Sequence, residues 1–221
     1  MNRIKKIIEY GLYLLVFLLP IQARWIIKSG ELNGGYWEYG TVSLYFTDIL
    51  LILILLLFIF FQIKKQNFQF SIFNFQTISN FKISKLWFFI ILIELAAFVS
   101  IFFAQDKLLA IYNYLRLLLG IGLFWLIISA EYSKIKLLWS LIVGASIQAC
   151  LGVWQFITQS TFSSKWLGMA AHKAGELGTS VVETAGKDGI GERWLRAYGG
   201  LDHPNMLGGF LAVALLMLII F

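Results

Sequence analysis

"ILLILILLLFIFFQI", residues 49–63, contains no charged side chain and one polar side chain, Gln62. A helix that crosses a bilayer needs about 20 apolar residues, and an apolar segment of that length is predicted here at residues 42–63. The whole chain agrees with this, because 59% of its 221 residues are hydrophobic and 14% are charged. Soluble domains are roughly half apolar and a quarter charged, so the sequence predicts a polytopic membrane protein.

Five other apolar segments accompany this one along the chain. They are predicted at residues 7–27, interrupted by Pro20, at 86–105, 108–130 and 137–158, and from Pro204 onward. The last is still apolar at Phe221 and is expected to be incomplete. The predicted fold class is therefore an all-α integral membrane protein, a polytopic helical bundle of about six transmembrane segments. Residues 1–221 are expected to form a single transmembrane domain.

The first segment follows basic residues, as in a secretory signal peptide. No cleavage site with small residues follows it, so we predict a retained first span. Residues 64–85, in which Phe alternates with Asn and Gln, are predicted to form an inner linker at the membrane interface.

The basic residues indicate which side of the membrane each loop occupies. With the N-terminus in the cytoplasm, the inner loops carry nine basic and two acidic residues, against eight basic and nine acidic ones outside. Cytoplasmic loops are enriched in Lys and Arg, so this orientation is predicted, with residues 159–203 as one long extracytoplasmic loop. The same bias accounts for the formal net charge of +6, and no nucleic-acid partner is predicted.

Two ionisable residues, Glu94 and Arg116, lie in the middle of predicted segments. Each is eleven residues from Gln105, so at ~1.5 Å per residue both lie about 16 Å below the outer turn. Charges inside a membrane usually have a partner or a function. Two interpretations stay open: an ion pair that locks this hairpin, or an Arg116 that lines a polar cavity and faces an anionic substrate. Arg24 and Asp48, near the outer ends of the first two segments, could reach the interface.

One face of the fifth segment is small and polar. Its members follow mostly at a spacing of four: Ser140, Gly144, Gln148, Gly152, then Gln155 and Gln159. Small residues let helices approach closely, and glutamines bond across the interface. This pattern favours helix packing over a substrate groove, although both interpretations stay open. Cys150, the one cysteine, is predicted to be a packing residue, with neither a disulfide nor a metal site.

The outer loop carries most of the polar residues. "SSKWLGMAAHKAGELG", residues 163–178, is predicted to form a short helix on the membrane surface, with Trp166, Leu167 and Met169 toward lipid. His172 within it is expected to be a solvated surface residue.

The loop ends in "RWLRAYGGLDHPNMLGGF", residues 193–210. Because proline is favoured in the first helical turn, Pro204 is predicted to begin the last helix, with His203 at its cap and Asn205 beside it. Such a helix end binds phosphate through free N–H groups and its dipole, and the forked guanidinium groups of Arg193 and Arg196 match phosphate oxygens. Two interpretations stay open: a diphosphate site at the membrane surface, or a capped helix start whose arginines contact lipid head groups.

The order of these features resembles the O-antigen ligase and O-antigen polymerase superfamily of bacterial envelope glycosyltransferases. The resemblance covers essentially the whole chain and is carried by "FLLPIQARW" (17–25), "GTVSLYFTDILL" (40–51), "YNYLRLLLGIGLFWL" (112–126), "VWQFITQSTFSSKWLGMAAH" (153–172) and "RWLRAYGGLDHPNMLGGFLA" (193–212). The last is the most specific, with an arginine, a glycine three residues on, then HPN and a glycine pair.

This resemblance implies a multi-pass enzyme of the bacterial inner membrane that acts in lipopolysaccharide or polysaccharide biosynthesis. It would transfer a glycan from an undecaprenyl-pyrophosphate-linked oligosaccharide donor to a glycolipid or glycan acceptor at the outer face. Neither a metal nor another cofactor is implied, because pyrophosphate is already a good leaving group. Carried over by position, Arg196, with Arg193 and Arg116, would bind the pyrophosphate, and His203 and Asn205 would shape the site.

The resemblance also implies parts that this sequence lacks. Family members continue for several more helices, and a histidine of a later outer loop serves as their general base. We therefore expect the base to lie beyond Phe221, unless His172 or His203 serves, and this chain to be the N-terminal portion of a larger enzyme, inactive alone.

Two other functions stay open. The chain could be half of a transporter or flippase for an anionic lipid or polymer, whose arginines select the cargo, or a structural scaffold that needs no arginine at the outer mouth. Transporters often contain repeats with helices broken at the midplane. No repeat is visible here, and glycines cluster at the outer mouth, which favours a surface reaction site.

Overall fold

A computed structural model of the chain describes residues 2–64, 81–184 and 192–220. Those ranges are mostly helical and contain the helices α1 (Asn2–Leu18), α2 (Phe46–Lys64), α3 (Phe81–Phe103), α4 (Lys107–Ser129), α5 (Lys134–Thr158) and α6 (Pro204–Ile220). They also contain the short strands β1 (Arg24–Lys28), β2 (Glu31–Leu32), β3 (Gly35–Tyr36), β4 (Val42–Tyr45), β5 (Val181–Thr184) and β6 (Glu192–Leu195). The strands pair as β1–β4, β2–β3 and β5–β6.

Four helices are long and apolar enough to cross a membrane. They are α2, the Leu86–Phe103 part of α3, α4 and α5. The apolar helix α6 and the helix α1 are shorter, with 17 residues each. A helix satisfies its own backbone hydrogen bonds, which is what a bilayer requires. The described residues therefore confirm a mostly helical chain with several apolar helices of spanning length.

The first two helices are shorter than predicted. Helix α1 ends at Leu18, and residues 24–27, predicted to belong to the first segment, lie in strand β1. Strand β4 occupies residues 42–45, where the second segment was predicted to begin. Proline cannot continue a helix, and the aromatic and β-branched residues of "RWIIK" and "VSLY" favour strands. The predicted limits at residues 27 and 42 are therefore wrong, because the apolar runs extend beyond the helices.

The predicted surface helix at residues 163–178 is also wrong. This stretch forms turns joined by the isolated bridges Ser160–Lys173 and Ser164–Met169. Gly168 and Gly178 have φ angles of +69° and +84°, which a right-handed helix does not contain. Most of the predicted inner linker, residues 65–80, lies outside the described residues.

The chain divides into two compact units. The first contains Met1–Ile8, Ile26–Leu44 and Leu51–Ala130, and the second contains Glu9–Trp25, Tyr45–Leu50 and Glu131–Phe221.

In the first unit, α3 and α4 form a helical hairpin. The ring pairs Trp87–Phe124 and Phe98–Tyr114, with centroids 5.9 and 5.8 Å apart, join the two helices. At the turn between them, the Asp106 carboxylate caps α4 by accepting the Leu109 N–H at 3.0 Å. The α1–α2 connection lies at this same end, because Lys28 pairs with Asp106 at 3.3 Å and the Tyr112 hydroxyl of α4 donates to the Ser43 carbonyl at 2.8 Å. Residues 28 and 43 therefore lie at the α3–α4 turn within the first unit.

In the second unit, α5 packs through its small residues. A Cβ at Gly144 would lie 2.9 Å from the Phe17 carbonyl oxygen of α1, and one at Gly152 would lie 3.2 Å from the Leu207 side chain of α6. Gly144 meets main chain and therefore needs to lack a side chain, whereas at Gly152 the Leu207 side chain would have to shift slightly. The glycines of the predicted small and polar stripe therefore serve helix packing.

The connection after α1 also packs in the second unit. The Gly168 main chain lies so close to the main chain of Gln22 and Ala23 that a Cβ would overlap it. This contact fixes residues 22–23 against the α5–α6 connection within the second unit.

Candidate functional site

Three glutamines of the α5 stripe hold the main chain that leads into α6. Gln159 accepts the Leu195 N–H at 2.6 Å, and Gln148 accepts the Gly200 N–H at 2.6 Å. Gln155 accepts the N–H groups of Tyr198 and Gly199 at 2.9 and 2.8 Å and donates to the Gly199 carbonyl at 2.7 Å. Buried peptide groups without partners are costly, so this glutamine clamp (Gln148, Gln155 and Gln159) fixes residues 195–200.

The glycine pair at residues 199–200 lets this chain approach α5. Gly199 has a φ of +61°, a conformation that favours glycine. A Cβ there would lie 2.8 Å from the Gln148 Oε1 atom. Glycine at this position is therefore required both by the backbone conformation and by the space against the clamp.

Arg196 bridges the β5–β6 hairpin and the first turn of α6. Its main-chain N–H donates to the Ser180 carbonyl at 3.1 Å, and its Nη1 donates to the Ser180 hydroxyl at 3.3 Å. Its Nη2 donates to the Asn205 side-chain oxygen at 2.8 Å. A guanidinium has five N–H donors, and these two side-chain bonds use two of them. The group is therefore held in place with donor capacity left for a ligand.

Helix α6 starts with the predicted cap, but the N–H groups of its first turn are not free as predicted. Helix α6 begins at Pro204, and the His203 Nδ1 atom accepts the Asn205 N–H at 3.2 Å. The His203 carbonyl accepts the N–H groups of Met206 and Leu207 at 3.0 and 3.3 Å, and Pro204 has no N–H. The predicted free N–H groups are therefore already satisfied, and an anion at this place would be bound by side chains.

The cap also sets the proton position on the His203 ring. A neutral imidazole has one donor and one acceptor nitrogen. Because Nδ1 accepts the Asn205 N–H, the neutral ring carries its proton on Nε2. His203 therefore presents an N–H donor beside Asn205 and is not arranged as a base through Nδ1.

Arg193 is not brought together with Arg196. Its Nε atom lies 3.5 Å from a Glu183 carboxylate oxygen across the β5–β6 hairpin, and that Nε atom is buried without a hydrogen-bond partner among the described residues. Its charge is thus opposed by the neighbouring acid.

Arg116 belongs to the first unit, where its Nη1 donates to the Tyr112 hydroxyl at 3.3 Å. Both carboxylate oxygens of Glu94 are buried and accept no hydrogen bond from any residue that the structure describes. The two residues lie on adjacent helices, and the ion pair between them stays a prediction. A role for Arg116 in substrate binding stays a prediction.

His172 stacks on Tyr198, with ring centroids 4.2 Å apart and the ring planes at 14°. Its main chain is fixed by Thr161, whose hydroxyl accepts the His172 N–H at 2.6 Å. Burial lowers the pKa of His172 below its ordinary value of 6.5, and the carboxylates of Glu176 and Asp202 partly oppose this effect. His172 is thus a packed, neutral side chain near pH 7, unlike the solvated residue expected.

Asp202 places a negative charge one residue before the cap. With the Gln22 amide oriented to donate, its nitrogen lies 3.3 and 2.6 Å from the two carboxylate oxygens of Asp202. The carboxylate is thus bound by an amide from the α1–α2 connection, which turns that charge toward Gln22.

The supporting residues Ser180, Gln22 and Tyr198 were missed by the sequence analysis, because single residues in a loop give no periodic signal. Cys150 is exposed on α5, so its predicted packing role is wrong within the described residues. The residues that the structure describes also contain no group of three or more His, Cys, Asp or Glu side chains placed to hold a metal ion.

Comparisons with known proteins return no match. No family model matches the chain, and neither a curated protein nor a solved structure is similar to it.

Proposed function

We propose that this chain belongs to a membrane glycosyltransferase of the O-antigen ligase and polymerase kind. It binds an undecaprenyl-diphosphate-linked glycan in the bacterial inner membrane, with its N-terminus in the cytoplasm, and presents the glycan to an acceptor at the outer face. The apolar helices α1 and α6 complete a bundle of about six spans. The proposal is supported by the apolar helices, by the motifs at residues 193–212, and by the arrangement around Arg196.

The observation that carries the proposal is the fixed guanidinium of Arg196. It is tied to Asn205 at 2.8 Å, next to the positive end of the α6 dipole. Asn205 and His203 add an amide and an imidazole N–H within the same turn. Charge-assisted hydrogen bonds from such groups suit a diphosphate.

In the proposed reaction, the acceptor hydroxyl oxygen attacks the anomeric carbon while its proton passes to a base. The bond between that carbon and the phosphate oxygen breaks, and the electron pair leaves with the diphosphate. Arg196 stabilises the charge that builds up on the leaving group, which is the kind of fixed electrostatic stabilisation that lowers such barriers.

Binding of the donor lipid tests the proposal directly. The purified chain in lipid nanodiscs is titrated with undecaprenyl diphosphate, with undecaprenyl monophosphate as the comparison ligand. Arg196→Ala is expected to weaken diphosphate binding by about tenfold to a hundredfold, since hydrogen bonds to charged groups contribute about 1.5–3 kcal/mol. Arg196→Lys is expected to restore part of the affinity, because it keeps the charge without the fork.

Arg193→Ala is the matched control. It removes the same charge at a position three residues before Arg196, and that charge is already opposed by Glu183. Equal losses in both variants would indicate non-specific attraction and contradict the assignment of Arg196. Movement of labelled lipid between leaflets, with no glycan transfer to an added acceptor, would favour the transporter hypothesis.

A further inference from the structure

The two faces of the β5–β6 hairpin differ in chemistry. On one face, Leu195 is 1% exposed, and the exposed Glu183 pairs with Arg193. On the opposite face, Val182 and Trp194 are direct cross-strand partners and are 51% and 40% exposed. Cross-strand partners have their side chains on the same side of the ribbon, so Val182 and Trp194 form a continuous apolar surface.

This surface continues onto helix α5. The rings of Phe156 and Trp194 lie 6.0 Å apart with a tilt of 31°. Phe156 and its neighbour Ile157 are 51% and 73% exposed. At 100° per residue, Ile157 points away from the packed side of α5 on which Gln148 and Gly152 lie, whereas Phe156 lies at the edge of that side, toward Trp194. Phe156, Ile157, Val182 and Trp194 together form what we call the apolar hairpin face.

The length of α5 places this face at a membrane boundary. The helix starts with Lys134 and Lys136 and then carries no charged residue as far as Thr158. Residues 137–158 span about 33 Å at 1.5 Å per residue, close to the ~30 Å thickness of the hydrocarbon core. With the lysines at one interface, Phe156 and Ile157 lie at the other, where Trp side chains are enriched.

We propose that the apolar hairpin face lies on the bilayer surface, inserted at the boundary between head groups and acyl chains. The occupant of this face is lipid, because the face continues the outward side of a helix of spanning length. Polar residues limit it toward the tip of the hairpin, where Thr184 and Glu192 are exposed and Trp194 Nε1 donates to the Glu192 carboxylate at 3.3 Å.

Contact of the apolar hairpin face with the bilayer sets the depth of Arg196, which is two residues beyond Trp194. At ~3.3 Å per residue in an extended chain, the two Cα atoms are about 7 Å apart, so an anchored Trp194 keeps Arg196 at the depth of the head groups. A diphosphate joined directly to a polyprenyl tail lies at that depth. This second step rests on the proposed function, whereas the membrane contact itself does not.

Spin-label accessibility tests the membrane contact. Cys150 is the only cysteine, so a Cys150→Ala background allows one nitroxide at Val182→Cys, and another at Leu177→Cys as the control. Leu177 is apolar and 97% exposed but is not part of the apolar hairpin face. In liposomes, the ratio of oxygen to nickel-chelate accessibility is expected to be at least about threefold higher at Val182 than at Leu177, as for side chains inserted below the head groups. Equal, water-like ratios at both positions would overturn the proposal.

Substitution of the same exposed position tests the depth of Arg196. Val182→Asp, checked for retained helix content by circular dichroism, is expected to weaken polyprenyl diphosphate binding in nanodiscs about tenfold, because a carboxylate resists insertion below the head groups. Its affinity for inorganic pyrophosphate is expected to stay unchanged. An equal loss for both ligands, or a loss for neither, would overturn the depth-setting role. If the wild-type chain binds neither ligand while Val182 is shielded by lipid, the proposed function fails and the membrane contact stands.

Discussion

The side chain of Gln155 bonds both polar groups of the Gly199 main chain, donating from Nε2 to the carbonyl at 2.7 Å and accepting the N–H on Oε1 at 2.8 Å. Gln155 is fully buried, so water cannot replace either bond. A helix that is apolar over most of its length thus uses one amide to fix a chain segment of the α5–α6 connection. Arg196 lies three residues before Gly199, in the chain segment that leads into this bond pair.

Gln155→Leu is expected to destabilise the chain by about 2–4 kcal/mol, because leucine has a similar volume but leaves buried peptide groups without partners. Unfolding of the purified chain in mixed micelles, followed by circular dichroism, measures this change. Gln105→Leu, the same substitution at an exposed position, is the control and is expected to change stability by less than about 0.5 kcal/mol. Similar effects of the two variants would show that the clamp is not important for stability.

Gly168 is expected to tolerate no side chain. Gly168→Ala adds a methyl group that overlaps the Gln22 main chain and requires a φ of +69°, so a loss above about 3 kcal/mol is expected from strain and overlap together. Gly178→Ala has a similar positive φ but open space and is expected to cost about 1–2 kcal/mol. Gly175→Ala, with neither feature, is expected to be neutral.

Thermal unfolding of the three glycine variants tests their order. If Gly168→Ala is no worse than Gly178→Ala, the contact between Gln22 and Gly168 does not exist in solution.

The existence of the helices and the start of α6 at Pro204 could be predicted from the sequence, whereas the limits of the first two helices could not. Apolar runs such as "ILLILILLLFIFFQI" are longer than those that a soluble domain exposes. Their length therefore predicts helices that span a membrane. Residues 24–27 and 42–45 were included in the predicted segments but lie in strands. These short stretches mix charged or polar residues with β-branched and aromatic ones, which favour strands.

Glu94 and Arg116 show a second limit of sequence reasoning. The rise per residue gives the depth of each residue, but rotation of each helix about its own axis decides which residues face each other. Arg116 bonds Tyr112, one turn earlier on its own helix. Likewise, the spacing of the glutamines on α5 indicated one packed face, but their partners at residues 195–200 depend on how the loop folds back.

His172 is expected to titrate below pH 6.5. Burial against Tyr198 lowers its pKa, so the unfolded chain binds more protons than the folded chain between that lowered pKa and 6.5. The stability that the neutral, stacked ring contributes is therefore present above pH 6.5 and lost as the pH falls through the folded pKa. NMR titration of the His172 ring measures this directly, since the chain contains two histidines and His203→Asn identifies the remaining signal.

Asp202→Asn is the accompanying variant, because the Asp202 carboxylate raises the pKa of His172 against the effect of burial. Its removal is expected to lower the His172 midpoint further. A midpoint at or above 6.5 in the wild-type chain would show that the ring is solvated and that the stack on Tyr198 does not persist.

His203 is expected to carry its proton on Nε2 because its Nδ1 caps α6. In ¹⁵N NMR at a pH where the ring is neutral, Nδ1 is expected to show the shift of an unprotonated nitrogen and Nε2 that of a protonated one. His203→Asn replaces the ring with a good N-cap and is expected to keep α6 stable, whereas His203→Phe removes the acceptor and is expected to cost about 1 kcal/mol. The two variants also separate capping from ligand binding: both lose the Nε2 donor, so both are expected to bind the lipid diphosphate less tightly, whether or not the helix start is weakened. A His203→Asn variant that binds as tightly as the wild-type chain would restrict His203 to capping and leave Arg196 and Asn205 as the anion-binding groups.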